Sequence, residues 1–286
     1  MVSSISVRAG LYARPDVPWV KINMVFDPAL RSKLSRIARG KSAEAFPAVT
    51  LSPVCEISPQ GLVELRISDF EGICKSNPHG EFLTRDLPVT SLIPEGLRLL
   101  SRLEGIARKL ECDPCRMLFV DLETTGLCGT PLFLIGSLRM CGGELIVRQQ
   151  FARDYSEEMS VLYDFSQLAG ECDTLVTFNG QTFDLPYLRD RCAHHRVGLD
   201  LRHRHLDVLI HARRKWRGRM PNCRLQTLES AICGRHRTGD IPGHLIPTVY
   251  HEYVRHKDIT PLLPVFHHNA LDLITTLELA LELFGD

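Results

Sequence analysis

Two carboxylates stand two residues apart in Phe119-Val-Asp121-Leu-Glu123-Thr-Thr-Gly126, at the end of an apolar run. Because side chains alternate along a strand, Asp121 and Glu123 are expected to project from the same face. Adjacent carboxylates repel each other, and burying them is unfavourable unless cations lie between them. Hard divalent ions such as Mg²⁺ or Mn²⁺ suit such a pair. Taken alone, the motif is also typical of a solvated strand end.

Two later motifs carry further acids and a base. In Phe178-Asn179-Gly-Gln-Thr-Phe-Asp184 a strand ends at the Asn, and Asp184 begins a helix. Asp184 alone would be read as an N-cap. In His267-His268-Asn-Ala-Leu-Asp272, the residues His268 and Asp272 are four apart and share one helical face. Alone, that pair indicates only a polar start of a helix.

Together the three motifs supply four carboxylates for two metal ions and one imidazole for use as a base. Two ions about 3.5–4 Å apart activate a water and stabilise the leaving oxygen of a phosphodiester. A His that is neutral near pH 7 takes the proton of that water. This is the chemistry of the DEDD-type 3′–5′ exonucleases.

The elements that must position these residues form an α/β pattern. The Gly142-Gly143 pair predicts a tight hairpin, and a helix, a strand, a helix, a strand and further helices follow it. We expect a ribonuclease H-like mixed sheet, with a three-stranded antiparallel meander plus parallel strands, flanked by helices. The predicted elements are strands at Met117–Leu122, Leu132–Met140, Glu144–Phe151, Thr174–Phe178 and near Leu206, and helices at Ser156–Leu168, Phe183–Val197, up to Trp216, Leu225–Ile232 and Asn269–Phe284.

The first 95 residues differ from the rest. They are rich in Pro and contain short β-prone runs such as Gly61–Ile67, without a motif that carries chemistry. We predict an irregular N-terminal extension of unknown role over residues 1–95. The ribonuclease H-like exonuclease domain then spans 96–286 and opens with an amphipathic helix over Glu95–Leu110.

From Leu118 onwards the chain resembles the YprB-like ribonuclease H-like proteins, a bacterial exonuclease-type family. The resembling stretches occur in family order. They are Leu118–Gly126, Val176–Gly180, His205–Leu209, Ala212–Trp216, Asp240–Gly243 and His268–Asp272. The resemblance implies metal ligation by Asp121, Glu123, Asp184 and Asp272. It favours His268 as the base, while His267 stays open, because many His-type enzymes place the base five residues before the last Asp.

The substrate side shows local positive charge. Arg202–Arg219 contains seven Lys or Arg residues and one acid, Asp207. Such a segment tracks a phosphate backbone or forms a solvated helix face. Asp207 is either a fifth acid of the site or a structural residue that binds backbone amides. The loop Arg235–Gly243 is expected to close over substrate or to be a plain connection. The predicted substrate-binding residues are Thr124, Thr125, Asn179, Arg213, Arg214, Lys215 and Trp216, the last by stacking on bases.

Composition excludes several classes. Lys plus Arg is 34 and Asp plus Glu is 34, so bulk charge does not hold nucleic acid. No apolar run is long enough for a membrane span, and no secretory signal is visible at Met1–Gly10. The 10 cysteines are expected to be reduced thiols of a cytoplasmic protein. Cys112 and Cys115 have the spacing of a zinc knuckle but lack a second pair.

We therefore predict a nuclease that trims single-stranded DNA or RNA from the 3′ end with two ions of Mg²⁺ or Mn²⁺. No membrane partner is expected. The alternatives are an endonuclease of the ribonuclease H type and a catalytically silent protein that binds nucleic acid or acts as a scaffold. All four carboxylates and the His are present, which disfavours the silent protein.

Overall fold

The computed structural model describes residues 20–23, 72–91, 93, 96–201, 204–238 and 240–285. For residues 20–23 and Thr238 it describes the backbone only. The predicted strand at Gly61–Ile67 and the basic residue Arg202 lie outside the described residues.

The described residues form a central sheet of 7 strands in the order β2-β3-β6-β5-β4-β7-β8. A separate parallel pair joins β1 and β9. The strands are β1 (Val20–Asn23), β2 (Ile73–Asn77), β3 (Gly80–Pro88), β4 (Met117–Thr124), β5 (Leu132–Cys141), β6 (Glu144–Phe151), β7 (Thr174–Thr177), β8 (Arg204–Asp207) and β9 (Arg235–Thr238).

Strands β4, β5 and β6 form the predicted antiparallel meander. Gly142 and Gly143 turn the β5–β6 hairpin with φ of 58° and 81°. Positive φ at both positions is what a two-residue hairpin turn requires, and Gly adopts it without steric cost. On the other side, β4 pairs in parallel with β7, and β7 with β8. The predicted mixed sheet is confirmed.

Strands β2 and β3 extend this sheet, although they lie within the predicted N-terminal extension. β3 pairs antiparallel with β6, and β2 pairs with β3 at the edge of the sheet. Residues 73–88 are therefore continuous with the sheet that carries the motifs. The domain boundary at residues 95 and 96 stays a prediction.

Helices cover both faces of the sheet. One face packs against α2, α3 and α6, and the other against α1, α4 and α7, in two apolar clusters. A π-helical turn over Glu229–Cys233 follows α5. The helices are α1 (Gly96–Lys109), α2 (Glu158–Gly170), α3 (Asp184–His195), α4 (Val208–Trp216), α5 (Leu225–Leu228), α6 (Ile246–His256) and α7 (Leu263–Phe284).

The last helix differs from its prediction. It begins at Leu263 rather than Asn269, because Pro264 lies in the first turn, where its missing N–H costs no helical hydrogen bond. His268 and Asp272 therefore lie inside a helix and not at its start. β9 and α6 lie between α5 and this helix, in a part of the chain for which the sequence predicted a connection without a helix or strand.

The cysteines that the structure describes are free thiols, including Cys112 and Cys115. Within the described part of the chain, no helix is long and apolar enough to cross a membrane.

Candidate active site

β4 delivers the first two carboxylates to the middle of the sheet. Glu123 is 8% exposed and Asp121 is half-buried. The register of β4 against β5 shifts between Glu123 and Thr124, which ends the strand in a bulge. The loop beyond is closed by its own hydroxyls. Thr124 Oγ1 donates to the Gly126 carbonyl at 2.7 Å, and Thr125 Oγ1 donates to the Pro131 carbonyl at 2.8 Å.

The turn after β7 sets the position of Asp184. Asn179 has φ of 70°, a left-handed conformation that Asn tolerates better than most residues. Asp207 holds this turn by accepting hydrogen bonds from the amides of Asn179 at 2.9 Å and Gln181 at 3.0 Å. It also caps α4 through the Leu209 amide at 3.0 Å. Asp207 is therefore the structural residue of the two predicted alternatives.

The interior of α7 supplies the imidazole and the fourth carboxylate. His268 Nδ1 lies 2.9 Å from both carboxylate oxygens of Asp240, and His268 Nε2 lies 3.5 Å from Asp272 Oδ2. The ring is thus held between two acids. His267, the open alternative, is 2% exposed, and neither of its nitrogens has a hydrogen-bond partner among the described residues.

The four carboxylates are close enough to perturb one another. Burial, and then the charges of Asp272, Glu123 and Asp184, raise the pKa of Asp121 well above its usual value. Burial raises the pKa of Glu123 to about 8, with Asp272 adding to the effect of burial. Burial also raises the pKa of Asp184 to about 7, against hydrogen bonds from its own amide and that of Leu122. The charge of His268 lowers the pKa of Asp121 and Glu123, but it only partly offsets these effects.

Arg237 on β9 is the buried cation nearest to Asp272. Its guanidinium lies 2.6 Å from Asp272 Oδ1, 2.6 Å from Glu229 Oε2 and 3.2 Å from Asp240 Oδ2. The contact with Asp272 is an ion pair without hydrogen-bond geometry, since Asp272 Oδ1 has no hydrogen-bond partner in the described residues. Burial lowers the pKa of Arg237, but the three acids outweigh it and raise that pKa.

In the metal-free protein, the surroundings of His268 favour its charged form over the neutral ring that was predicted for the metal-bound site. Burial lowers the pKa of His268, but Asp272, Asp240 and Glu123 raise it to about 10. The ring is therefore an imidazolium near pH 7 while those acids carry no metal. Burial lowers the pKa of His267 to about 3, so that ring is neutral.

The predicted substrate side is only partly on the surface. Arg213, Arg214 and Lys215 are exposed on α4, and among the described residues neither Arg has an ion-pair partner. Trp216 is 7% exposed and packs in the core, so the expected stacking of its ring on bases is wrong. Its spacing from Ala212 and Val208, four residues each, is the stripe of a buried helix face.

The loop expected to close over substrate is instead an ion-pair network. Arg235 is 4% exposed and pairs with Glu229 at 3.0 Å and Glu278 at 2.5 Å. With Arg237 also paired, both arginines of this segment point into the protein, whereas His236 is exposed. Buried charges require such partners, so both arginines are engaged within the protein, which disfavours the predicted closing of this loop over substrate.

A family model described as the RNase_H superfamily matches residues 118–284. The chain belongs to the RNase H superfamily. This RNase H-like chain is 31% identical over 172 residues to the uncharacterized protein YprB of Bacillus subtilis (strain 168). That alignment covers 58% of the chain and 41% of YprB, so it spans less than half of the relative. Superfamily membership confirms the predicted ribonuclease H-like fold, and the identity to YprB confirms the YprB-like resemblance.

A solved structure of the family B DNA polymerase from the hyperthermophilic archaeon Pyrobaculum calidifontis is also similar. The identity is 19% and the TM-score 0.47, over 60% of this chain and 25% of the polymerase chain.

Sequence reasoning missed three residues that contact the predicted ones. Asp240 holds His268, Arg237 pairs with Asp272, and Asn269 Nδ2 donates to Asp121 Oδ2 at 2.7 Å. Asp240 and Asn269 both lie within stretches that resemble the family, which was the one available signal. Arg237 lies in the loop Arg235–Gly243, for which the sequence predicted a role towards substrate or a plain connection, and not a contact with Asp272.

Proposed function

We propose that this protein is a metal-dependent nuclease that removes nucleotides from the 3′ end of single-stranded DNA or RNA with two ions of Mg²⁺ or Mn²⁺. The observation that carries this is the meeting of Asp121, Glu123, Asp184 and Asp272 from β4, α3 and α7 around His268. Burial and mutual repulsion raise the pKa of three of these acids, as expected for ligands that await a cation.

The donor set fits hard divalent ions. All four predicted ligands are carboxylates, which Mg²⁺ and Mn²⁺ prefer. Asp272 Oδ1 accepts no hydrogen bond among the described residues, so it is a candidate ligand oxygen, and an ion bound there would replace its 2.6 Å ion pair with Arg237. Bound ions would supply a water of lowered pKa and positive charge for the leaving oxygen.

The chain's own groups handle the proton. Asp240 orients the ring of His268 through Nδ1, which leaves Nε2 facing Asp272. Once Asp272 and Glu123 are neutralised, His268 loses two of the three charges that raise its pKa and keeps that of Asp240. Its pKa then falls, and Nε2 is better suited to accept the proton of the attacking water. The exposed Arg213, Arg214 and Lys215 are proposed to hold the phosphate backbone.

Arg237 favours a second candidate, a catalytically silent protein that binds nucleic acid. Within the described ranges, no three His, Cys, Asp or Glu side chains form a ready metal site. A guanidinium already shares Asp272. A site that relied on this internal cation would keep the fold without hydrolysis.

The test uses 5′-labelled single-stranded DNA and RNA with Mn²⁺, Mg²⁺ or EDTA. The matched control is the isosteric double variant Asp121→Asn, Glu123→Gln. A metal-dependent ladder that shortens from the 3′ end, and is lost in the variant, supports the exonuclease. Cleavage that persists when the 3′ end is blocked indicates an endonuclease of the ribonuclease H type. Binding without cleavage of any substrate supports the second candidate, a catalytically silent protein that binds nucleic acid.

A further inference from the structure

A row of polar side chains crosses the buried sheet and ends at Asp121. The register places Asp121 opposite Gly136 on β5, Gly136 opposite Gln149 on β6, and Gln149 opposite Arg85 on β3. Residues directly opposite each other share a face of the sheet. Gln149 is 0% exposed and Arg85 is 8% exposed, so this row lies inside the protein.

Asn269 of α7 completes the row above Gly136. Arg85 Nε and Nη2 donate to Gln149 Oε1 at 2.9 and 2.7 Å. Gln149 Nε2 donates to Asn269 Oδ1 at 2.9 Å, and Asn269 Nδ2 donates to Asp121 Oδ2 at 2.7 Å. Every link is within the ordinary range of a hydrogen bond.

The direction of this row is set by its first residue. A guanidinium has donors only, so Gln149 must turn its oxygen towards Arg85 and its NH₂ group away. That NH₂ group donates to the Phe266 carbonyl at 2.7 Å and to Asn269 Oδ1 at 2.9 Å, which leaves the Asn269 NH₂ group for Asp121. Arg85, together with the Phe266 carbonyl, therefore sets the row so that a donor, and not an acceptor, faces the carboxylate.

Gly136 provides the space for this arrangement. A Cβ atom at Gly136 would lie 2.0 Å from Asn269 Oδ1 and 2.6 Å from both Asn269 Cγ and Nδ2. Cβ atoms essentially never come this close to a neighbouring heavy atom, so any other residue at 136 displaces the Asn269 amide. Gly136 therefore leaves the space through which the Asn269 amide of α7 contacts Asp121.

We infer that Asn269 is a positioning residue that fixes the Asp121 carboxylate for its metal ion, with Gln149 and Arg85 fixing Asn269. This rests on the proposed function, since it assigns Asp121 as a ligand. The row holds Oδ2 and leaves the other carboxylate oxygen for the ion. Outer partners of this kind orient the ligands of metal sites. The strand that carries Arg85 thereby acquires a role at the site.

The test is Mn²⁺ affinity, measured by calorimetry and by the EPR signal of free Mn²⁺. We expect Asn269→Leu and Gln149→Leu to weaken binding about 10–100-fold. The matched control is Gln150→Leu. Gln150 is also 0% exposed, but it is the next residue on β6, faces the opposite side and bonds Asp164. Its variant loses a comparable buried hydrogen bond and is expected to bind Mn²⁺ within about 2-fold of the parent.

A second pair of variants tests the space at Gly136. We expect Gly136→Ala to weaken Mn²⁺ binding in the parent but to have little further effect in Asn269→Ala, which lacks the clashing amide. Thermal unfolding of each protein shows whether it is folded, and Gln149→Leu serves if Asn269→Leu is not. Mn²⁺ affinities of both row variants equal to the parent would overturn the positioning role while leaving the nuclease intact.

An Asp121→Asn variant separates the two failures. If it lowers Mn²⁺ affinity and the row variants do not, only the positioning role is wrong. If Asp121→Asn leaves Mn²⁺ affinity unchanged, Asp121 is no ligand, and the proposed function and the positioning role both fail.

Discussion

Without divalent ions, the folded protein should lose stability as the pH rises from 6 to 8. The pKa values of Glu123 and Asp184 are raised to about 8 and about 7, and that of His268 to about 10. For each group the folded state holds a proton that the unfolded state releases at lower pH. The stabilisation by each proton is therefore complete below the unfolded pKa and is lost as the pH rises through the folded one.

The size of this loss follows from those values. With 1.36 kcal/mol for each pKa unit, Glu123, Asp184 and His268 lose about 2, 1 and 2 kcal/mol between pH 6 and 8. Each proton that leaves an acid adds a charge that stabilises the imidazolium, so the losses are less than additive. We expect a total of about 3–5 kcal/mol, a large part of the stability of an ordinary domain.

The assay is urea unfolding followed by far-UV circular dichroism at several pH values, in EDTA and in saturating Mg²⁺. The ion replaces the protons, so its stabilising effect should be larger at pH 8 than at pH 6. Glu123→Gln is the control, because it removes one titrating group and should flatten the dependence in EDTA. A free energy of unfolding that is constant between pH 6 and 8 in EDTA, within about 1 kcal/mol, would refute the assignment of raised pKa values to this acid cluster.

Three further expectations follow from the same site. His268→Ala should lower kcat about 10²–10⁴-fold, whereas His267→Leu, which replaces a buried ring without hydrogen-bond partners in the described residues, should retain activity; equal losses in a cleavage assay would contradict this. Arg237→Met should lower the free energy of unfolding by about 3–5 kcal/mol in EDTA, because it leaves the acids that contact Arg237 unpaired. The same variant should bind Mn²⁺ more tightly, because Asp272 loses a competing cation. Calorimetry that shows no gain in Mn²⁺ affinity would mean that the ion does not bind Asp272. The double variant Arg213→Ala, Arg214→Ala should reduce the slope of log binding constant against log salt concentration for oligonucleotides by about 2 and leave kcat unchanged. An unaltered slope would show that these residues of α4 do not contact the nucleic acid.

The sequence was sufficient for the parts of the fold that local patterns encode. The Gly142-Gly143 turn fixed the hairpin, and alternation along Asp121 and Glu123 placed both acids at one site. The order of the later motifs supplied Asp184 and Asp272. Each of these depends on spacing within a few residues, or on the order of elements, which a single sequence shows.

The rest depends on contacts between residues that are distant in the chain. Arg85 and Gln149 are 64 residues apart, and Gln149 and Asn269 are 120 apart. The contacts of Arg237 with Asp272 and Glu229 likewise join separate elements, and the sequence predicted only the loop in which Arg237 lies. The burial of Trp216, by contrast, is consistent with local spacing, because Trp216 lies four residues from Ala212 on one helix face. The prediction that its ring is exposed rested on the basic residues around it.

The pairing of β3 with β6 has a consequence for how the chain can be divided. The superfamily match begins at residue 118, and a fragment cut there would lack β3. Strand β6 would then become an open edge, with the amide and carbonyl groups that now bond residues 83–88 left free. Such an edge recruits strands from other molecules and promotes aggregation. A well-behaved fragment should therefore start before Ile73, so that the hairpin of β2 and β3 shields the sheet.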